Sequence, residues 1–184
     1  TYTVVTPASN GLFKEGQGKK LNDERADAYH RMVAKALFLC KRAIPDIQPT
    51  IPVLCTRVKG LNKANWAKLV RWMKYLSSTR ELKLALSADN IDCIKWYVDA
   101  TFVVHPDYKS HTGPTMSYGD GNGAIQSILR KQKLNTKSSI KSELVGVNNV
   151  SVMILWTELF LEEQGYNINS NILYQDNKSA IVLE

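Results

Sequence analysis

The spacing of apolar residues changes at one place in this chain, and the change limits the folds open to it. Up to Leu76 the apolar residues recur at helical intervals; from Leu82 they alternate. A period near 3.6 marks an amphipathic helix and a period of 2 marks a half-buried strand, so a helical module is followed by a sheet-bearing one. In the first part Asn22 predicts an N-cap, with Asp23 and Glu24 in the first turn, where they complement the helix dipole. That helix runs to about Arg42, with Tyr29, Met32, Val33, Ala36, Leu37 and Cys40 as its apolar stripe. Pro45-Asp46 restarts the chain, and Ile47, Ile51, Leu54 and Val58 again have helical spacing, although Pro49 and Pro52 each remove a backbone donor. Asn62 caps a third helix, Lys63 to Leu76, with Trp66, Leu69, Val70 and Met73 facing the core and Trp72 at its edge. Residues 1–20 read as a loose lead-in.

Beyond Ser77-Ser78-Thr79, Leu82, Leu84 and Leu86 predict a strand, followed by further strands over Ile94–Val98, Thr115–Tyr118 and Ala124–Leu129. The cluster Gly119-Asp120-Gly121-Asn122-Gly123 between the last two is a hairpin signal. Ser138-Ser139 opens a long helix to about Gln164, stopped by Gly165 in the C′ position. A strand over Ile172–Tyr174 leads into a final helix from Lys178 that stops in mid-pattern. The start, Thr1-Tyr2-Thr3-Val4-Val5, lacks a Met, so a piece of a longer polypeptide is expected. The expected class is α/β (α+β): a helical segment over residues 1–90, then a mixed sheet with packed helices over 91–184, C-terminally incomplete, joined near Ser87–Ile91.

Charge is uneven along this plan. Residues 1–92 hold 16 Lys and Arg against 8 Asp and Glu, whereas residues 93–184 hold 8 against 9. A basic half joined to a neutral half suits a polyanionic partner. Cys40, Cys55 and Cys93 form no CxxC or zinc spacing, which favours a reduced, intracellular chain. No uninterrupted apolar run approaches the roughly 20 residues of a membrane span, so no membrane partner is expected. His105 and His111 flank Asp107, but no third ligand has zinc spacing, and the stretch reads as a hairpin loop.

Three acids hold informative places. Asp99 ends the strand Trp96-Tyr97-Val98, Glu143 sits near the start of the long helix, and Asp176 ends Leu173-Tyr174. Two acids at strand ends and one in a helix's first turns can converge at a sheet edge. Clustered carboxylates bind Mg²⁺ or Mn²⁺ through oxygen, and two such ions about 3.5–4 Å apart support phosphodiester hydrolysis. Arg130, Lys131, Lys133, Lys137 and Lys141 form a basic run without an acid, suited to phosphates. The Lys and Arg face of the third helix, with Lys68 and Arg71, suits a duplex backbone.

The ordered set Trp96-Tyr97-Val98-Asp99-Ala100, Ser110-His111-Thr112-Gly113, Arg130-Lys131-Gln132-Lys133, Ser138-Ser139-x-x-x-Glu143-Leu144 and Tyr174-Gln175-Asp176-Asn177-x-x-Ala180 resembles the ribonuclease H domain of Ty1/copia-type retrotransposon Pol polyproteins. Lys41-Arg42-Ala43-Ile44-Pro45-Asp46-Ile47 and the helix from Trp66 to Tyr75-Leu76 look like that family's connection between polymerase and ribonuclease H. The resemblance implies hydrolysis of the RNA strand of RNA–DNA hybrids, with Asp99, Glu143 and Asp176 as catalytic metal ligands for a pair of Mg²⁺ or Mn²⁺ ions. It also implies an upstream polymerase domain of the same polyprotein as partner, and a place in cytoplasmic particles or the nucleus. The polymerase's own acids would lie upstream of Thr1. A fourth acid would lie beyond Asp176, and Glu184 comes too soon after it for that role. Pro114, where the family usually has a second Gly, and Lys141, beside Glu143 where it usually has an acid, depart from the pattern. The alternative is a non-catalytic, basic nucleic-acid-binding remnant of a retroelement.

Overall fold

The computed structural model describes residues 4–105, 107–119 and 123–183. The chain divides into two compact units, one through Lys83 and one from Leu84 onward. Its architecture is α/β, with a helical first unit and a second unit of mixed sheet and helices.

The first unit contains α1 (Asp23–Arg42), a 3-10 turn at Pro45–Ile47, α2 (Ile51–Thr56) and α3 (Lys63–Ser78). Asn22 and Asn62 both cap as the sequence predicts, each side chain accepting from the backbone N–H three residues on. Tyr29, Val33, Ala36 and Cys40 of α1 pack with Ile47, Ile51, Leu54, Leu69 and Trp72 in one core. Two corrections concern α3. Trp72 is buried rather than marginal, whereas Met73 is exposed. The inward face is Asn65, Leu69, Trp72 and Tyr75, because the indole and phenol fill the space beside α1 and the 3-10 turn. Tyr75 donates a hydrogen bond to Asp46 of that turn, and this bond, with burial, pushes the phenol up to about 12. The lead-in is not loose. Leu12 is buried, and the segment is stitched to α3 by side-chain bonds described below.

The strand expected at Leu82–Leu86 does not form. All three leucines are exposed and the segment is extended coil. Alternation alone cannot make a strand without a ladder; among the described residues the segment has one long-range backbone bond, from Gly123 N–H to Ala85 C=O at 2.9 Å, and an isolated bridge follows from Ala88 to Tyr118.

In the second unit β1 (Cys93–Val98), β4 (Thr115–Ser117), β5 (Gln126–Ser127) and β7 (Ser170–Gln175) form a sheet in the order β5-β4-β1-β7. A second sheet has the order β2-β3-β6, from β2 (Ala100–Thr101), β3 (His111–Thr112) and β6 (Arg130–Lys131). The two sheets share one meander broken along a line. Asp99 separates β1 from β2, Gly113-Pro114 separates β3 from β4, and Ile128-Leu129 separates β5 from β6. Bonds still cross that line, from Gly113 N–H to Asp99 C=O at 2.9 Å and from Ile128 N–H to Pro114 C=O at 3.0 Å. Pro114 has no N–H to continue the ladder, which suits a break. The expected strand over Ala124–Leu129 is thus shorter, and the turn residues Asp120, Gly121 and Asn122 lie outside the described residues.

Helix α4 (Ser139–Glu163) follows β6 and carries the chain to β7, which pairs parallel with β1 in the register Val98 to Gln175. Val147 and Val150 of α4 pack on Ile94, Trp96, Val98 and Met116. Gly165 ends the region with φ 88°, a left-handed conformation that glycine adopts without penalty. The last helix, α5 (Lys178–Ile181), is capped by Asn177. Helix α4 is long and apolar enough to cross a membrane by length and composition alone, although its apolar run is interrupted, as the sequence shows. Asn148 and Asn149 interrupt the run, while the aliphatic residues on both sides keep the mean hydropathy of the helix high.

Candidate metal centre

Asp99 and Asp176 are neighbours because β1 and β7 run parallel. Val98 lies opposite Gln175 in register, so the next residue on each strand emerges at the same sheet edge. Helix α4 brings the third acid. Glu143 lies on the same stripe as Gly146, Val147 and Val150, at helical spacing, and that stripe packs on the sheet. One carboxylate oxygen from each of Asp99, Glu143 and Asp176 lies within 4.8 Å of the others. Glu143 is buried while both aspartates are exposed, so the group has a fixed inner wall and a mouth open to water.

Glu143 is held by named partners. Gln175 Nε2 donates to Glu143 Oε2 at 3.2 Å, and Gln175 Oε1 accepts from Asn177 N–H at 3.1 Å. Burial pushes the Glu143 carboxyl above its usual range, and the charges of Asp99 and Asp176 push the same way. The bond from Gln175 and a backbone bond at Ala100 pull it back. At this separation the carboxylates repel one another.

Of the basic residues, Arg130, Lys133 and Lys137 are exposed. Lys131 is tied to Asp107 by a salt bridge of 2.7 Å. Arg130, Lys131 and Lys133 line a groove of about 430 Å³ whose other wall is α4, from Leu144 to Met153. Lys68 and Arg71 are placed differently from the expectation of a free duplex-tracking face. Lys68 Nζ donates to the carbonyls of Leu12 and Lys14 at 2.8 and 2.7 Å, and Arg71 donates to Thr6 Oγ1 at 2.9 Å. They bind the lead-in of their own unit, and burial lowers the Lys68 amine. His105 and His111 do not form a metal pair with Asp107. His105 Nε2 and His111 Nδ1 share a hydrogen bond of 2.7 Å, and Asp107 turns to Lys131.

Two glutamines hold the site from behind. Gln175 and Gln132 stand in the sequence as members of the motifs around Asp176 and Arg130, with no role attached to either. Gln132 is buried, and its Nε2 donates to Thr112 Oγ1 and to Ser142 C=O, both at 2.8 Å. Nothing in the local pattern signals bonds reaching 10 and 20 residues away.

A mixed sheet whose parallel strands end in two aspartates, with a helix adding a buried glutamate, defines a carboxylate-centred α/β protein. Among curated proteins, the chain is 27% identical over 157 residues to "Retrovirus-related Pol polyprotein from transposon TNT 1-94" of Nicotiana tabacum. The aligned part is 84% of this chain and 12% of that protein's length. This distant similarity supports an origin in a retrotransposon Pol polyprotein. No protein-family profile matches the chain, and no solved structure matches it.

Proposed function

We infer that the second unit is a ribonuclease H-type hydrolase that cuts the RNA strand of an RNA–DNA hybrid, with Asp99, Glu143 and Asp176 holding Mg²⁺ or Mn²⁺. The observation that carries this reading is the convergence of three carboxylates within 4.8 Å at the carboxyl ends of two parallel strands. The donor set fits such ions: it is all oxygen, and hard divalent cations prefer oxygen. When bound, a pair of such ions activates water and steadies the leaving oxygen of a phosphodiester.

The protein's own groups have separate tasks. Gln175 fixes the Glu143 carboxylate, leaving the exposed Asp99 and Asp176 facing solvent and substrate. Arg130, Lys133 and Lys137 offer phosphate contacts, which recognise a hybrid through its backbone shape rather than its bases. Lys68 and Arg71 drop out of the substrate contacts, since their donors serve Thr6, Leu12 and Lys14. In this reading α4 caps the sheet rather than crossing a membrane. The activity belongs inside the cell, in particles or nucleus, alongside the polymerase of the same polyprotein.

The test is incubation with an end-labelled RNA–DNA hybrid in Mn²⁺ and in Mg²⁺. The unmodified chain is expected to cut the RNA strand, with Asp99→Asn and Asp176→Asn slower by about a hundredfold or more, the scale of several kcal/mol of lost metal stabilisation. The basic run Arg130–Lys137 favours a second reading, a non-catalytic binder of nucleic acid. Salt-sensitive binding of the hybrid with no cleavage by any of the three proteins would select it.

A further inference from the structure

We propose that Gln132 is a positioning residue that sets the separation of Asp99 and Glu143. The proposal rests on the metal-centre reading for its purpose, and on geometry for its substance. Gln132 is 2% exposed, and its carboxamide spans two elements. Nε2 donates to Thr112 Oγ1 and to Ser142 C=O, both at 2.8 Å. Ser142 immediately precedes Glu143 in α4. Thr112 lies opposite Ala100 in the β2–β3 ladder, and the next residue, Gly113, donates its N–H to Asp99 C=O at 2.9 Å. One side-chain nitrogen therefore connects the strand end bearing Asp99 to the helical turn bearing Glu143.

Three further features lock the joint. The Gln132 backbone N–H donates to Ser110 C=O at 2.9 Å, so the main chain under the side chain is anchored. Ser142 is fully buried and Thr112 nearly so, so water does not substitute easily for the carboxamide. Gly146, one turn beyond Ser142, sits where an added Cβ would lie 3.3 Å from Thr112 Cγ2 and 3.6 Å from Ala100 Cβ. Helix and strand thus approach so closely that a Cβ at position 146 would need its neighbours to give by a few tenths of an ångström, and the carboxamide bridges the same gap. Groups that orient metal ligands from behind change affinity by roughly 10–100-fold when removed.

The experiment compares the unmodified chain with Gln132→Leu and Thr112→Val, using Mn²⁺ alone as probe. Free Mn²⁺ is measured by electron paramagnetic resonance, and hydrogen exchange is followed in the metal-free proteins. Gln132→Leu is expected to weaken Mn²⁺ binding about tenfold or more, and Thr112→Val, which keeps the bond to Ser142, by less. Exchange should quicken at least tenfold over 139–146 and stay unchanged over 93–97. Unchanged Mn²⁺ affinity, or exchange that quickens equally across the unit, would overturn the positioning role. If Gln132→Leu does not fold, the same two readouts on Thr112→Val decide the matter. If the unmodified chain binds no Mn²⁺, or Asp99→Asn binds it equally well, the metal-centre reading fails. The exchange pattern then still decides whether Gln132 joins the two elements.

Discussion

At the scale of single residues, the second unit carries an acid-sensitive joint outside the carboxylate group. His111 is buried in β3, shares a 2.7 Å hydrogen bond with His105, and lies opposite Lys131 in the β3–β6 ladder. Burial, then the charges of His105 and Lys131, push its imidazole from 6.5 down to about 4. A group whose folded value is lowered stabilises the fold above its unfolded value and loses that contribution as pH falls toward the folded one. The window here runs from about 6.5 down to about 4. At pH 5 the linkage amounts to about 2 kcal/mol of lost stability. Glu143 runs the other way: its raised carboxyl favours the protonated form, so acidification stabilises through it. The comparison of urea unfolding at pH 7.5 and pH 5 for the unmodified chain and His111→Gln isolates the imidazole. The unmodified chain should lose about 2 kcal/mol more than the variant; equal losses would remove His111 from the account.

At the scale of elements, what was legible in the sequence was what is local. Asn22, Asn62 and Ser138 were readable as caps because each bonds to a backbone N–H three residues away. Asp99, Glu143 and Asp176 could be placed at element ends because apolar runs stop beside them. Leu82, Leu84 and Leu86 misled because a strand needs a partner that alternation does not supply. The face of α3 was misjudged because the choice between Trp72 and Met73 is made by the space beside α1 and the 3-10 turn. Gln132 and Gln175 were invisible as partners because their bonds are long-range. Local legibility also makes a prediction. The Asn62 side chain accepts from Asn65 N–H at 3.0 Å and donates to Gly16 C=O at 2.7 Å, so it caps α3 and pins the lead-in. Asn62→Ala should cost about 1–2 kcal/mol, a fall of several degrees in Tm for a unit of this size. Asn62→Asp, which keeps the acceptor and loses the donor, should fall by less. Equal losses for the two variants by thermal circular dichroism would assign the whole effect to Gly16.

At the scale of the whole molecule, α4 is the element least satisfied by its own unit. Its first half packs on the sheet, but Val152, Leu155, Trp156, Leu159 and Phe160 recur at i, i+3, i+4, i+7 and i+8 and are all exposed. Trp156 and Phe160 stack on one another with ring centroids 5.2 Å apart. An apolar stripe of a few hundred Å² is about the largest that a soluble monomer leaves open. At roughly 25 cal/mol per Å² its burial is worth on the order of 5–10 kcal/mol, close to the translational and rotational cost of association. The balance predicts weak association, at tens of micromolar or above, rather than a tight complex. The isolated chain should bind an apolar dye, and its sedimentation coefficient should rise with concentration. Leu155→Ser combined with Trp156→Ser should remove most of both effects and leave Tm nearly unchanged, since neither side chain belongs to the packed core of the unit. A drop in Tm of ten degrees or more in the double variant would mean that the stripe is packed in solution rather than exposed.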